Sequence, residues 1–573
     1  MPAGRIRILL LLSACLISSR AIAQTGQDAL RLSDLEPEAA TDQAAPATKI
    51  VSHSDLVLVP VTLTGKKGMA LTGIPKESFH VEEEGKEQTI STFEEVKIDN
   101  GAPKPTPETG DQGISNFALD RSHQWRMTIV VLDMLNTPIL RQEAAKEALF
   151  RYLSMSVTRD EPTALLGLNR SGLHELHPFT TDTAVLIAAL KKVNDQYTTE
   201  DINNSQAEMT SDLTGVLQSS SDSTASQIVS FLSRSDTEMN AITQRLTTDM
   251  TLKAFEQIAE AYMAVPGRKT LIWASTGFPF MIDDPQAFNN MGLDMTDQYV
   301  KTWQALMSAN LAVYPIDVNG LVNTIFSMDR VWSMSTSSGS SLMEKQITMR
   351  SIASATGGRA CVDTNDLEKC FSTAVDDSRN YYMLGYYLRA DDRKPGWRKL
   401  KVKVDVNGAQ VRSREGFYVA APTEDTHAYR QKQITQALQS PVAFTGVRLK
   451  VSPVKPSVQV QTASLPGAQK ARRPVSFILT VPADNFILNP AGNNALDLEV
   501  LALALDAKGK TADHSGHSVT AKLNPAKLAD FAKSGLRIRQ VLSLAPGVYQ
   551  VKFAVRDNNT GQIGTVLFPY DLN

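Results

Sequence analysis

The feature that most restricts the fold is a regular alternation of strand and helix patterns between about residues 125 and 320. The run Met127–Asp133 is continuously apolar and ends in a carboxylate, which is typical of a strand buried on both faces. A helical spacing of apolar residues follows at 142–152. Strand patterns recur at 163–168, 269–274 and 311–317, separated by helical patterns at 253–263 and 299–309. The alternation predicts an open, doubly wound α/β domain with a parallel sheet, whose ligands bind at the carboxyl ends of the strands.

The chain of 573 residues is too long for one hydrophobic core, which stops growing at roughly 250–300 residues, so several domains are expected. Short strand patterns separated by turn residues flank the α/β pattern on both sides and predict small β-sandwich-like modules, giving a fold that is α/β plus all-β. The predicted order is a small β module at 49–98, a linker at 99–121, the α/β domain at 122–420 with a helical insertion at 196–245 and a C-terminal β-hairpin, a helical linker at 421–442 and an immunoglobulin-like or fibronectin-like β-sandwich at 443–573.

The N-terminus has the pattern of an export signal. Arg5 and Arg7 precede an apolar run, and Ala21-Ile22-Ala23 provides the small residues of a cleavage site, so a signal peptide is predicted at 1–23. A polar stretch at 24–48 lacks periodicity and is expected to be a disordered leader. The expected location is secreted, periplasmic or in the cell envelope, with no transmembrane span. Leu12-Ser-Ala-Cys15 resembles a lipobox, so a membrane-anchored lipoprotein acylated at Cys15 is the alternative.

Cysteine content and charge restrict the chemistry further. Cys361 and Cys370 are the cysteines left after removal of the signal peptide, and in an oxidising compartment they are expected to form a disulfide rather than a zinc site. The formal net charge of −3 gives no basis for a nucleic-acid partner.

Motifs of catalysis were not found in the sequence. It contains no Gly-x-Ser-x-Gly elbow, no phosphate-binding loop and no cysteine with a plausible base. The carboxylates Glu82–Glu84 are interpreted as a solvated charge run, and the aromatic group around Tyr381–Tyr387 as strand packing rather than a glycan platform. No enzymatic activity is predicted, and a hydrolase is the third choice of function.

Several motifs together resemble one family. They are the stretch Leu132–Thr137, Phe179-Thr-Thr-Asp182, Pro266–Pro279, Thr356-Gly-Gly358, Thr364–Leu367, Asp377–Tyr386, Arg398–Lys403 and Arg412–Phe417. In this order they resemble the VWFA-related proteins best known from Acidobacteria, over about residues 50–420. The resemblance implies a von Willebrand factor A-type fold and no established reaction.

The resemblance also implies a degenerate metal site. The wider superfamily holds a divalent cation with an Asp-x-Ser-x-Ser loop, a Thr from a second loop and an Asp from a third. Here Asp133 matches the first Asp, but Leu135 stands at the first Ser position and Ser275 at the third-loop Asp, while Thr137 and Thr198 or Thr199 keep hydroxyls.

The expected function is therefore non-catalytic protein interaction or adhesion, with an unknown extracytoplasmic protein or cell-surface polymer as the partner. The alternative is a metal-dependent adhesin or receptor that binds Mg²⁺ or Ca²⁺ through Asp133, Thr137 and Thr199. Asn136 and Asp317 either add oxygens to such a site or cap turns at strand ends.

Overall fold

The computed structural model describes residues 56–66, 68–97, 113–116, 126–155, 161–195, 198, 223–265, 267–277, 295–321, 337–388, 394–419, 425–454, 472–488 and 494–572. The predicted signal peptide, the leader, Cys15 and Thr199 lie outside these residues, as does most of the predicted linker at 99–121.

The strands, in chain order, are β1 Leu56–Thr64, β2 Phe79–Glu83, β3 Lys86–Gln88, β4 Thr92–Lys97, β5 Ile114–Ser115, β6 Met127–Asp133, β7 Thr163–Asn169, β8 Gly172–Thr180, β9 Lys269–Ser275, β10 Leu311–Asp317, β11 Asn380–Tyr387, β12 Gly396–Val404, β13 Gln410–Ser413, β14 Gly416–Val419, β15 Lys450–Pro453, β16 Arg473–Val481, β17 Ala495–Asp506, β18 Thr511–Lys522, β19 Leu536–Leu544, β20 Gly547–Asp557 and β21 Ile563–Leu572. The α-helices are α1 Ile139–Met155, α2 Thr183–Leu190, α3 Ser223–Tyr262, α4 Thr296–Ser308, α5 Ser337–Thr356, α6 Leu367–Asp376, α7 His427–Gln439 and α8 Pro525–Ser534.

The central sheet has the strand order β10-β9-β6-β7-β8. Neighbours among β10, β9, β6 and β7 are parallel, whereas β8 pairs antiparallel with β7 at one edge. Helices α1, α2 and α6 pack on one face of the sheet, and α3, α4 and α5 on the other. The predicted α/β sheet covered on both faces is therefore present, but it is mixed rather than fully parallel, because β7 returns through a short turn at Gly172 instead of a helix.

The first β unit is assembled from two distant parts of the chain. Sheets β13-β1-β11-β4 and β14-β12-β2-β3 enclose one core that includes Val59, Phe79, Tyr382, Leu400 and Phe417. Segments 56–97 and 380–419 thus form one unit, whereas their local patterns predict that they belong to two. The α/β domain is inserted between its two halves.

The C-terminal region forms a second two-sheet unit. Its sheets are β19-β16-β15-β5 and β18-β17-β20-β21, with Phe477 and Phe553 in contact at the centre of the shared core. Strand β5, from the segment predicted as a linker, pairs with β15 at the edge.

Buried hydrogen bonds join the α/β domain to both units. The guanidinium of Arg268 donates to Thr62 Oγ1 (2.8 Å) in β1 and to the carbonyl of Gly357 (2.5 Å), and the backbone N–H of Arg268 donates to the hydroxyl of Tyr381 in β11 (3.2 Å). On the other side, the backbone N–H and the hydroxyl of Thr445 both donate to the carbonyl of Ala261 in α3 (2.8 and 2.6 Å). Because these groups are buried, their pairing fixes how the three units are arranged.

None of the helices in the described ranges is long and apolar enough to cross a membrane.

Candidate binding site at the carboxyl edge of the sheet

The strand order reverses at β6. The chain moves from β6 to β7 on one side and returns to β9 on the other, so β6 and β9 border a topological switch point. In open α/β sheets, ligands bind in the crevice outside the carboxyl ends of such strands. Asp133 ends β6, Ser275 ends β9 and Asp317 ends β10, so the structure brings these three sequence-selected residues to one edge.

The Asp133 carboxylate is buried and accepts five hydrogen bonds. Oδ1 accepts from the backbone N–H groups of Leu135 (3.1 Å) and Asn136 (2.9 Å). Oδ2 accepts from Asn136 Nδ2 (2.8 Å), Trp273 Nε1 (2.9 Å) and Ser275 Oγ (2.7 Å). Burial raises the pKa of Asp133, and the hydrogen bonds from Ser275, Asn136 and Trp273 act in the opposite direction. The donors hold this carboxylate in one orientation.

The loop after β6 is held by the same network. Asn136 Nδ2 also donates to Thr251 Oγ1 of α3 (2.8 Å), and the Asn136 carbonyl accepts from Thr276 Oγ1 (2.5 Å). Thr137 Oγ1 accepts from the backbone N–H of Thr276 (3.3 Å), while its carbonyl accepts from Gln142 Nε2 (2.8 Å). Helices on both faces therefore fix the loop between β6 and α1.

The described residues of the predicted metal site do not fit a divalent cation; Thr199 lies outside the described residues. Both oxygens of Asp133 already accept from neutral donors, and the Leu135 side chain packs in the core. Ser275 Oγ donates to Asp133 and accepts from the N–H of Gly277 (2.9 Å), so a cation would have to displace this network. Thr198 is buried, and within the described ranges no three His, Cys, Asp or Glu side chains are grouped to hold a metal. Affinity for such ions rises with the number of charged ligands, of which this loop has one.

Trp273 is the site residue that sequence reasoning missed. It lies within β9, where an aromatic residue is expected to pack, and its ring does contact Phe255 in the core. A buried indole N–H nevertheless needs an acceptor, and this requirement is the signal that could have linked Trp273 to Asp133.

Asp317 caps the turn after β10, one of the two alternatives given for it. Its carboxylate accepts from the N–H of Asn319 (2.9 Å) and from Gln346 Nε2 (3.0 Å). Burial raises its pKa.

The remaining carboxylates and tyrosines that the sequence singled out make contacts that stabilise the fold. Glu82 of β2 forms an ion pair with Lys403 of β12. Glu84, just after β2, accepts from the backbone N–H of Lys399 in β12 (2.5 Å). Tyr382 and Tyr386 are buried in the first β unit. These contacts are those of sheet packing and surface pairing.

Large apolar side chains are exposed at the carboxyl edge. Leu140 in the first turn of α1 is 89% exposed, Leu321 after β10 is 61% exposed, and Met343 in the second turn of α5 is 66% exposed. Helices that follow parallel strands start at the strands' carboxyl ends, so these residues lie on the side of the sheet that carries the switch point. Exposed apolar side chains contribute binding energy when a partner covers them, and contiguous patches of them mark interaction sites in soluble proteins.

A disulfide joins Cys361 to Cys370, with the Cα atoms 5.9 Å apart. Cys361 forms two backbone hydrogen bonds with the edge of β10. Its N–H donates to the carbonyl of Pro315, and its carbonyl accepts from the N–H of Asp317 (2.8 Å each). Cys370 lies in α6, and a cavity of about 360 Å³ borders the cross-link. The bond thus ties α6 to the edge of the sheet.

Replacing both cysteines by alanine should lower the free energy of unfolding by about 2–3 kcal/mol, because the cross-link restricts the unfolded chain. Urea unfolding followed by circular dichroism measures the change. Dithiothreitol should produce a similar loss in the wild type and none in the double variant. An equal effect of the reductant on both proteins would contradict the assignment.

No family model and no curated protein matches this chain. Among solved structures, the chain is similar to the pilus adhesin SpaC from Lactobacillus rhamnosus GG in its open conformation, with 8% identity over 78% of this chain and 68% of that chain. The TM-score is 0.25, which is too low to support a conclusion about fold or function.

Proposed function

We propose that this chain is an exported interaction protein that binds its partner, without a metal ion, at the carboxyl edge of a von Willebrand A-type domain. The observation that carries the proposal is the exposure of Leu140, Leu321 and Met343 on that side of the sheet. Large exposed apolar side chains contribute binding energy when a protein partner covers them.

The sequence motifs and the strand order support the domain type. The resemblance implies an A-type fold, and the first strand of the α/β domain, β6, is the centre of its sheet and ends in the matching Asp133. The disulfide supports export, because stable disulfides are typical of oxidising compartments outside the cytoplasm.

The contacts of Asp133 support metal independence. The carboxylate that would bind a cation instead fixes the loop between β6 and α1, through donors from Asn136, Trp273 and Ser275. We propose a structural role for it, and neither a metal-binding nor a catalytic one. Recognition of the partner then depends on the exposed side chains Leu140, Leu321 and Met343 at the carboxyl edge of the sheet.

A quantitative pull-down from cell-envelope extract tests the proposal. Leu140→Asp and Leu321→Asp are expected to reduce the captured partner at least tenfold, because each puts a charge into a desolvated contact. The matched control is Val548→Asp, at a side chain that is 60% exposed on β20 of the C-terminal unit. Capture should be equal in Mg²⁺, in Ca²⁺ and in EDTA.

Two results would count against this reading. Capture lost in EDTA would favour the metal-dependent adhesin. Capture reduced equally by Val548→Asp would move the interaction away from the carboxyl edge.

A further inference from the structure

Helix α3 extends well beyond the domain core. It spans 40 residues, or about 60 Å. Its C-terminal part is buried against the sheet through Leu252, Phe255, Ile258 and Tyr262. Among the described side chains of the N-terminal part, five large apolar ones are exposed, and we call them the α3 stripe: Ile228 (43%), Phe231 (69%), Met239 (53%), Ile242 (52%) and Leu246 (58%).

The α3 stripe occupies one side of the helix. At 3.6 residues per turn, its five side chains fall within an arc of about 80° and extend over about 27 Å. An apolar band of this width is narrower than the core-facing side of a globular helix and is typical of a helix-pairing seam. Soluble proteins rarely expose such a band without a partner.

We propose that the α3 stripe packs antiparallel against the same stripe of a second copy of this chain. Charge complementarity carries the choice of partner. Arg234 and Glu238 are exposed and flank the stripe on the same side, one turn apart. In an antiparallel pair with its two-fold axis near position 236, Arg234 of each copy lies opposite the partner subunit's Glu238, so the pairing is formed twice.

Other arrangements fit less well. A parallel pair in register places the Arg234 and Glu238 side of one copy on the opposite side of the interface from the same residues of the other copy, so the pairing between them is not formed. A lipid surface requires a basic flank, but Glu238 and Asp249 offset Arg234 and Arg245 on this side of the stripe.

Sedimentation equilibrium of the full mature chain tests the pairing. The wild type is expected to dimerise in the micromolar range, and Phe231→Glu with Ile242→Glu should raise the dimer Kd at least a hundredfold. At concentrations well below the wild-type dimer Kd, the thermal unfolding midpoint should stay unchanged, because both side chains are exposed in the monomer. A wild type that is monomeric at 100 µM, or a dimer that persists in the double variant, would overturn the proposal.

Charge reversal provides the second arm. Arg234→Glu should raise the Kd about tenfold by placing two carboxylates together at each of the two contacts. Adding Glu238→Arg should restore most of the affinity, because the opposite charges then face each other again. Failure of this rescue would overturn the proposed register.

Cross-linking tests the orientation. In the antiparallel pair, position 235 lies about 3 Å along the axis from its counterpart, whereas position 228 lies about 24 Å from its own. Ser235→Cys should therefore form an oxidised dimer and Ile228→Cys should not. Equal cross-linking of both variants would indicate parallel helices and reject the proposal. Because these measurements need no external partner, their outcome is independent of the proposed binding at the carboxyl edge.

Discussion

Asp133→Asn should lower the free energy of unfolding by about 3 kcal/mol, in EDTA and in Mg²⁺ alike. An amide offers one acceptor oxygen, whereas the carboxylate accepts five hydrogen bonds. The new amide nitrogen would face either the backbone donors on one side or the side-chain donors on the other. Buried donors would lose their acceptor, and each such group costs about 1–3 kcal/mol.

Urea unfolding of Asp133→Asn, Trp273→Phe and Ser275→Ala, singly and combined, measures the network. Trp273→Phe and Ser275→Ala each remove one donor and should each lower the free energy of unfolding by about 1–2 kcal/mol. Combined with Asp133→Asn, these losses should be less than additive, because the groups share one carboxylate. The metal hypothesis would be restored if Asp133→Asn unfolded like the wild type in EDTA and if Mg²⁺ raised the Tm of the wild type but not that of the variant.

Gly358→Ala should be at least as destabilising, at about 3 kcal/mol or more. A Cβ at this position would lie 1.9 Å from the carbonyl oxygen of Val313 and 2.7 Å from its carbonyl carbon. Val313 cannot move away easily, because it lies in β10 and pairs with Leu271 of β9. The cost is that of overpacking against a fixed backbone.

Gly509→Ala is the matched control. Gly509 has a φ of +75° and no atom within 4 Å of a built Cβ, so alanine there meets only the backbone cost of about 1–2 kcal/mol. Urea midpoints of both variants separate the two effects. Equal losses would contradict a close approach between Gly358 and β10.

Local patterns predicted the parts of the fold that local physics determines. The run Met127–Asp133 is a strand with the predicted bounds, because a strand buried on both faces must be apolar throughout. Asp182 precedes α2 and caps it with its side chain, accepting from the N–H groups of Ala184 and Val185, as an aspartate at this position favours. Thr426 precedes α7 and caps it by accepting from the N–H of Tyr429.

Long-range pairing escaped prediction. Strand β1 pairs with β11, so that Leu58 lies beside Gly385, more than 300 residues along the chain. Nothing in the alternation of either strand specifies its partner, and the two halves of the first β unit were therefore assigned to different modules. The predicted helical insertion at 196–245 also has a different boundary, because α3 runs from 223 into the core of the α/β domain without a break.

The sequence identified the carboxylate at the centre of the candidate site, but not the hydrogen bonds that this carboxylate accepts. Asp133 and Ser275 were selected together from the resemblance, and the structure joins them by a hydrogen bond. The sequence could not show that Trp273 completes the shell, because its indole N–H reaches Asp133 only after β6 and β9 pair.

The insertion of the α/β domain into the first β unit has a mechanical consequence. The chain leaves the first β unit after β4 and returns to it at β11, and these two strands are neighbours in one sheet. A pull exerted on the α/β domain is therefore divided between two chain connections that leave the unit side by side. Strand β11 is held by six residue pairs to β1 and six to β4, which resist extraction along the strand together rather than one after another. The α/β domain is therefore anchored at both of its ends by the same sheet of the first β unit.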